Sequence, residues 1–337
     1  MKIDIVIPIL NEEESLTKCL DSIIKFKTPV DVNFLIYIVD GGSTDNSLEI
    51  ARKYSNENKN IIVKKNPKKI ASAAMNLIIN EGLGDYILRL DAGNIYNEDY
   101  LLNCIDTSLR KSAANVGGVI NTIPSADNLS SHIVHKIMTH PFGVGNSIFR
   151  TGTENEIKVD TVPYGFFKKS IFKKIGLYDE RLVRAQDYEL NTRIINSGED
   201  IWLNPKIKAD YIALPFWKYM KKNITIEGPY NAYMWYLQPS SFSIRHSITL
   251  FFSLGIIGGV FLSPFFNTIK IIFSIVLCIY FLISVLASFQ ISKKDKKYTY
   301  IIILPFCFFI FHFLHGLGVL RGVINLLLHR SPVQNKI

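Results

Sequence analysis

The sequence predicts an α/β protein: a Rossmann-like, doubly wound and mostly parallel sheet, followed by C-terminal transmembrane helices. Three observations carry this expectation. Short apolar runs rich in β-branched residues alternate with amphipathic helical stretches over the first part of the chain, as βαβ units require. Charged residues almost vanish after Arg245. Three apolar runs of about the length that crosses a bilayer core, roughly 20 residues, then follow.

In chain order, Lys2 to Leu10 and Phe34 to Val39 read as buried parallel strands. Between them Leu16, Cys19, Leu20, Ile23 and Ile24 recur at helical spacing within Glu12 to Lys25. The alternation continues with a helix near Asn46 to Tyr54, a strand at Ile61 to Lys64, a helix at Ala71 to Asn80 and a strand at Tyr86 to Leu90. A helix at Glu98 to Arg110 and a strand at Val116 to Ile120 complete it. Asn121 to Val162 shows weak periodicity and reads as loops and short elements, with helices again at Lys169 to Ile175 and Asp187 to Ser197. Phe216 to Phe242 interleaves Trp217, Tyr219, Tyr230, Tyr233, Trp235 and Tyr236 with Lys218, Lys221 and Lys222, the pattern of a membrane-interface belt. Ser247 to Phe266 and Ile269 to Ile291 read as a helical hairpin, because Lys270 is the only charged side chain between His246 and Ile291, histidine aside. Tyr298 to Leu320, with Pro305, His312 and His315, is a third span or an interfacial helix, its histidines expected at the interface. The expected division is a cytosolic α/β domain over 1–212, an interfacial segment over 213–245, a transmembrane hairpin over 246–291 and a third helix over 298–328.

Composition agrees with a membrane address. Hydrophobic residues make up 48% and charged residues 20% of the 337, and the mean hydropathy is +0.18, too apolar for a disordered chain. The formal charge of +9 is unevenly spread: 30 Lys/Arg face 28 Asp/Glu up to Arg245, and 8 face 1 beyond it. The basicity therefore belongs to the apolar tail, and a nucleic-acid partner is not expected. Lys293, Lys294, Lys296 and Lys297 mark a cytoplasmic loop by the positive-inside rule. Cys19, Cys104, Cys278 and Cys307 show no metal or disulfide spacing, and no cleavable signal peptide is visible at Met1, which fits a reducing cytosol.

Ligands of doubly wound sheets bind at the carboxyl ends of strands; two motifs stand there, and a third leads into a helix. Val39-Asp40-Gly41-Gly42-Ser43-Thr44-Asp45 pairs an acid able to accept from a base or ribose with glycines that let backbone approach a ligand; a turn and helix cap is the competing reading. Arg89-Leu90-Asp91-Ala92-Gly93-Asn94 offers one carboxylate for a divalent cation on a diphosphate, or a structural turn. Arg184-Ala185-Gln186-Asp187 precedes a helix, where Asp187 is either a dipole partner or a general base.

In this order the motifs resemble the inverting glycosyltransferases of family 2, with the GT-A fold, closest to the membrane-anchored subgroup that builds exopolysaccharides such as succinoglycan. Ile7-Pro8-Ile9-Leu10-Asn11-Glu12, Asn66-Pro67, Ala73-Ala74-Met75-Asn76, Pro141 to Asn146, Tyr164-Gly165 and Gly176 to Glu180 match further signatures, so the resemblance covers nearly the whole chain. It implies a nucleotide-sugar site at Pro8, Asn11, Glu12, Asp40, Lys69, Asp91 and Ala92, and Asp187 as catalytic base. It also implies a divalent cation (Mg or Mn) at Asp91, and acceptor or phosphate contacts at Arg184, Gln186, Arg245 and His246. Two departures stand out: the second acid of the D-x-D metal motif is Gly93, and the usual Glu-Asp pair is Gln186-Asp187. No Gln-x-x-Arg-Trp motif of processive synthases occurs, so single-sugar transfer is expected. The resemblance implies a multi-pass plasma-membrane enzyme, with its catalytic domain on the cytoplasmic face. It would move one sugar from a UDP-sugar donor to a polyprenyl-diphosphate-linked glycan, alongside other polysaccharide-assembly proteins. A polyprenyl-phosphate sugar synthase and a non-catalytic nucleotide-sugar-binding subunit are the alternatives; a Rossmann dehydrogenase lacks its G-x-G-x-x-G.

Overall fold

The computed structural model describes residues 1–334, apart from the side chains of Arg245 and His246, so those two expected acceptor contacts lie outside the described residues. The chain forms two compact units. One comprises Met1–Asn121 and Gly152–Ile212; the other comprises Thr122–Thr151 and the chain from Ala213 onward.

The first unit opens with β1 (Lys2–Ile9), α1 (Glu13–Ile23), β2 (Asn33–Asp40), α2 (Ser47–Glu57), β3 (Ile61–Lys65), α3 (Ala71–Glu81) and β4 (Tyr86–Arg89). After β5 (Asn94–Tyr96), α4 (Tyr100–Lys111) and β6 (Asn115–Pro124) the chain passes through the second unit as α5 (Leu129–Thr139), α6 (Pro141–Val144) and α7 (Ile148–Thr151). It returns with β7 (Ile157–Lys158), β8 (Phe166–Lys168), α8 (Ile171–Ile175), α9 (Gln186–Asn196) and β9 (Ile201–Ala213). The sheet order is β3-β2-β1-β4-β8-β6-β9-β5, with β7 on β9.

The pairs β3–β2, β2–β1 and β1–β4 are parallel, so four carboxyl ends share one edge. The rest of the sheet pairs antiparallel at β4–β8, β8–β6, β5–β9 and β7–β9. β1 is buried on both faces, with Ile3, Ile5, Val6, Ile7 and Ile9 all in the core, as a strand covered by helices on both sides must be. α1 supplies Leu16, Cys19, Leu20 and Ile23 to that core. The crossover after β1 leads to β2 on one side, while β4 lies on the other, and this reversal opens a crevice at the carboxyl edge. Pro8 fits there. The Val6 carbonyl accepts from Leu90 on the β4 side, so by the two-residue period the absent N–H of Pro8 falls on that side too, beyond the last β4 partner.

Two expectations change. The stretch from Asn121 to Val162, read as loops and short elements, also contains the 11-residue α5, which buries Ile133, Val134, Ile137 and Met138 and is capped by Asn128 accepting from Ser131 N–H at 3.0 Å. β8 and the 13-residue β9 were also not expected. β9 was hidden because its inward residues include Asn204, whose amide bonds Thr107 Oγ1 at 2.7 Å, and because Pro205 interrupts its pattern.

The second unit continues with α10 (Phe216–Lys222), a π-helical turn (Asn223–Glu227), α11 (Gly228–Leu237), a short turn (Pro239–Ser241), α12 (Ile244–Leu262), α13 (Asn267–Asp295) and α14 (Tyr300–Leu327). α13 and α14 are long and apolar enough to cross a membrane, whereas the apolar part of α12, Ser247–Leu262, is shorter. Among the described residues the third apolar run therefore has span length, and the first member of the expected hairpin is the shorter helix. α14 packs on α11, α12 and α13. Gly316 makes the α12 approach possible, since a Cβ there would stand 1.9 Å from the Thr249 carbonyl oxygen. His312 and His315 have their hydrogen-bond partners inside this unit. His312 meets the Tyr280 hydroxyl at 2.9 Å and the Gly143 carbonyl at 3.3 Å, and His315 meets Thr249 Oγ1 at 2.9 Å. Polar groups held in an apolar bundle need such partners.

Candidate active site

The carboxyl edge of the parallel strands carries three loops that bond one another. Asn11, in the left-handed region at φ 58°, follows β1, and its side-chain carbonyl accepts from Thr44 N–H at 2.8 Å and Thr44 Oγ1 at 3.3 Å. Ser43 Oγ accepts from Asn11 N–H (3.1 Å), Ser47 Oγ from Glu12 N–H (2.7 Å) and Asp45 from Glu13 N–H (3.1 Å), while Glu13 accepts from Asn46. The loops after β1 and β2 are thus zipped together by groups that would otherwise be orphaned at the N-termini of α1 and α2.

Asp40 shapes the second loop from within. It is buried, and its carboxylate accepts from Gly42 N–H at 3.1 Å and from Ser43 N–H and Oγ at 3.0 and 2.6 Å. The turn reading of this motif therefore holds in its geometry. The loop after β3 closes over the glycines: Asn66 N–H donates to the Asp40 carbonyl at 2.7 Å, and Lys69, exposed and at φ 60°, lies across Gly41 and Gly42. A Cβ on Gly41 would stand 3.3 Å from Lys69 Cα. Lys68, by contrast, pairs with Glu180.

The loop after β4 brings the two remaining acids together through a residue that the sequence motif contained without a role. The Arg89 side chain is only 4% exposed. Its Nε and Nη2 donate to Asp91 Oδ1 at 3.3 and 3.1 Å, and its Nη1 donates to Asp187 Oδ1. The Asp91 and Asp187 side chains remain 39% and 27% exposed, so two carboxylates face outward in front of one buried guanidinium. A cation at the end of the apolar run Tyr-Ile-Leu-Arg is the signal that would have found it, because a buried charge requires paired acids. Ala92 is 2% exposed, its methyl packed away.

Asp187 is held in place from several sides. α3 presents Asn76, which bonds the Tyr178 backbone twice at 2.9 Å, and Ser72, which donates to the Leu182 carbonyl at 3.0 Å. Arg193 of α9 donates to the carbonyls of Ile175 and Leu177 at 2.7 and 2.8 Å and pairs with Glu189. Ala185, at φ 61°, turns the chain immediately before buried Gln186 and Asp187 at the start of α9. Burial pushes the Asp187 carboxyl up from 3.8 to about 6; Arg89 opposes that shift and Asp91 adds to it. Glu12 is also raised, by burial against its bond from Ser15, with the Asp91 charge adding. Arg184 pulls both Glu12 and Asp187 the other way, which places its charge beside the same acids. Pro8 and Asp40 at the ends of β1 and β2, Asn11, Glu12, Lys69 and Asp91 on the loops beyond the parallel strands, and Arg184 and Asp187 around the start of α9 thus belong to one unit.

A divalent cation has a limited foothold. Among the described residues no three His, Cys, Asp or Glu side chains converge as ligands. Asp91 nevertheless offers Oδ2, to which no described group donates, and a Cβ on Gly93 would meet nothing within 4 Å. One hard carboxylate beside open space fits a cation whose other ligands are substrate phosphates and water.

The family model described as glycosyl transferase family 2 matches residues 4–176. A glycosyltransferase of Methanococcus voltae, named for transfer of a 2,3-diacetamido-2,3-dideoxyglucuronosyl group to dolichyl N-acetylglucosaminyl phosphate, is 28% identical over 336 residues. That match covers 96% of this chain and 97% of the other. The succinoglycan biosynthesis protein ExoA of Rhizobium meliloti is 31% identical over 222 residues, 64% of this chain and 66% of its own. Among solved structures, a mannosyltransferase of Pyrobaculum calidifontis in complex with GDP-Man and Mn2+ superposes with a TM-score of 0.64 at 13% identity. It covers 97% of this chain and 87% of that one, a likeness of fold.

Proposed function

The chain belongs to glycosyl transferase family 2, and from that premise we propose that it transfers one sugar, with inversion, from a nucleotide-sugar to a lipid-linked glycan at a membrane surface. The observation that carries the reading is the pair of outward-facing carboxylates, Asp91 and Asp187, at the carboxyl edge of the parallel strands. Asp187 takes the proton of an acceptor hydroxyl as that oxygen attacks the anomeric carbon from the face opposite the nucleotide. The glycosidic oxygen–carbon bond forms, the bond to the nucleoside diphosphate breaks, and configuration inverts. Lys69 and Arg184 face the departing phosphates, and the zipped loops after β1 and β2 hold the nucleoside. A divalent cation, when bound, is held by Asp91 and by phosphate oxygens and supplies charge neutralisation for the leaving group.

Two relatives support the acceptor class: one is named for a dolichyl-phosphate-linked sugar acceptor and the other for succinoglycan synthesis. In this reading the apolar helices keep the site beside a polyprenyl-diphosphate-linked acceptor, with the catalytic unit on the cytoplasmic face of a multi-pass plasma-membrane protein. Residues 213–245 form its interfacial segment, where Trp217 is exposed beside Lys218 and Lys221.

The test uses the full chain in detergent with a panel of nucleotide-sugars and a membrane lipid extract, reading nucleoside diphosphate release and the mass of the lipid product. An extended lipid-linked oligosaccharide is expected; a lipid monophosphosugar overturns the acceptor assignment. Asp187→Asn is expected to lower turnover by about 100-fold or more while donor binding persists.

A further inference from the structure

We propose that Arg89 is the positioning residue of this site: one buried guanidinium sets the spacing between Asp187 and Asp91 and competes with a divalent cation for Asp91. The role given to Asp187 rests on the function proposed above; the sharing of Asp91 rests on geometry alone. The guanidinium donates two bonds to Asp91 Oδ1 and one to Asp187 Oδ1 while almost wholly enclosed. Its own backbone is fixed, since Arg89 N–H donates to the Gly165 carbonyl at 3.1 Å at the end of β4. A planar fork on a short, anchored tether holds two carboxylates at one separation, which a single ammonium cannot do. The partner acids are on separate segments, the loop after β4 and the start of α9, and among the described hydrogen bonds between those side chains Arg89 alone joins them.

Two consequences follow from one charge serving two acids. The positive charge beside Asp91 weakens cation binding there, and this adds to the effect of the missing second acid at Gly93. The same charge favours the ionised form of Asp187 against its burial and leaves Oδ2 to face the acceptor. Arg89 therefore trades cation affinity at the donor side for a correctly placed base.

The experiment compares wild type, Arg89→Gln and Arg89→Lys as full chains in detergent. Binding of Mn2+ alone is read by electron paramagnetic resonance, and turnover is read with the donor that wild type uses. Arg89→Gln is expected to bind Mn2+ about tenfold more tightly. Its kcat should fall by roughly 100-fold with the donor KM within about threefold of wild type. Arg89→Lys is expected to show a reduced kcat, and millimolar guanidinium to restore part of the rate of Arg89→Gln. Unchanged or weaker Mn2+ binding in Arg89→Gln overturns the shared-acid assignment. A raised KM at unchanged kcat, or full wild-type kcat in Arg89→Lys, overturns the positioning role. Should Arg89→Gln fail to fold, Arg89→Lys decides by the same two readouts, with tighter Mn2+ binding not expected where the charge is kept. If wild type transfers no sugar from any donor, the proposed function fails, and the Mn2+ comparison still decides whether Arg89 and a cation compete.

Discussion

Asp187 must be ionised to accept a proton, and burial sets the pH at which that happens. Its carboxyl lies at about 6, above the ordinary 3.8, so the base form is depleted as pH falls through 6 and complete above it. The logarithm of kcat/KM is therefore expected to rise with unit slope below about pH 6 and level off above it; a profile flat down to pH 4.5 contradicts the assignment. A second prediction concerns the missing acid. Gly93 has open space where a side chain would go and no positive φ, so Gly93→Asp can place a carboxylate beside Asp91 without a clash. Mn2+ affinity should rise by about tenfold or more, measured by titration of the metal alone. Asp40 differs in that its carboxylate already accepts from Gly42 and Ser43 of its own loop, which gives that loop its shape.

At the scale of elements, the site is made by loops whose bonds cross from one βα unit to the next. Asn11 is the hinge of this zipper, because it both adopts the left-handed conformation and accepts from Thr44. Asn11→Ala loses both roles and is expected to cost about 1–2 kcal/mol of stability. It should also weaken nucleoside diphosphate binding. Asn11→Gly relieves the backbone and should recover part of the stability in thermal melts without recovering the affinity. Equal stability of the two variants shows that the left-handed backbone at Asn11 carries no cost, and wild-type affinity in both shows that the Thr44 bonds do not order the loop. The same logic explains the signature around Ala73 to Asn76: Asn76 and Ser72 act as a substitute strand for residues 178–182, fastening the segment that leads to Asp187.

For the whole molecule, the uneven charge is the informative quantity. α13 and α14 have span length, and Lys293, Lys294, Lys296 and Lys297 gather where one ends and the other begins. In the topology proposed above these lysines lie on the cytoplasmic face, and a spanning α14 would carry the chain to the opposite side. In a Cys278→Ser background, Lys296→Cys is expected to be shielded from a membrane-impermeant thiol reagent in intact cells and His329→Cys to be labelled. Labelling of Lys296→Cys from outside reverses the proposed orientation.

The alternation of β1 through β4 with helices, the apolar tail and each motif at a strand end were legible in the sequence, because hydrophobic periodicity and strand-end acids are local signals. So was α5, in principle, from Asn128 and the spacing of Ile133, Val134 and Ile137, although scattered histidines and glycines obscured it. β8 is only three residues long, and β9 carries a polar, interrupted pattern whose burial depends on partners far along the chain. The meeting of Asp91 with Asp187 was beyond any local pattern. The 98-position separation of Arg89 and Asp187 is closed only when β4, α3 and α9 pack. The sequence alone determined which residue types stand at the strand ends. Tertiary structure decided which acids share a cation, because a buried charge takes its partners from whatever the fold brings within reach.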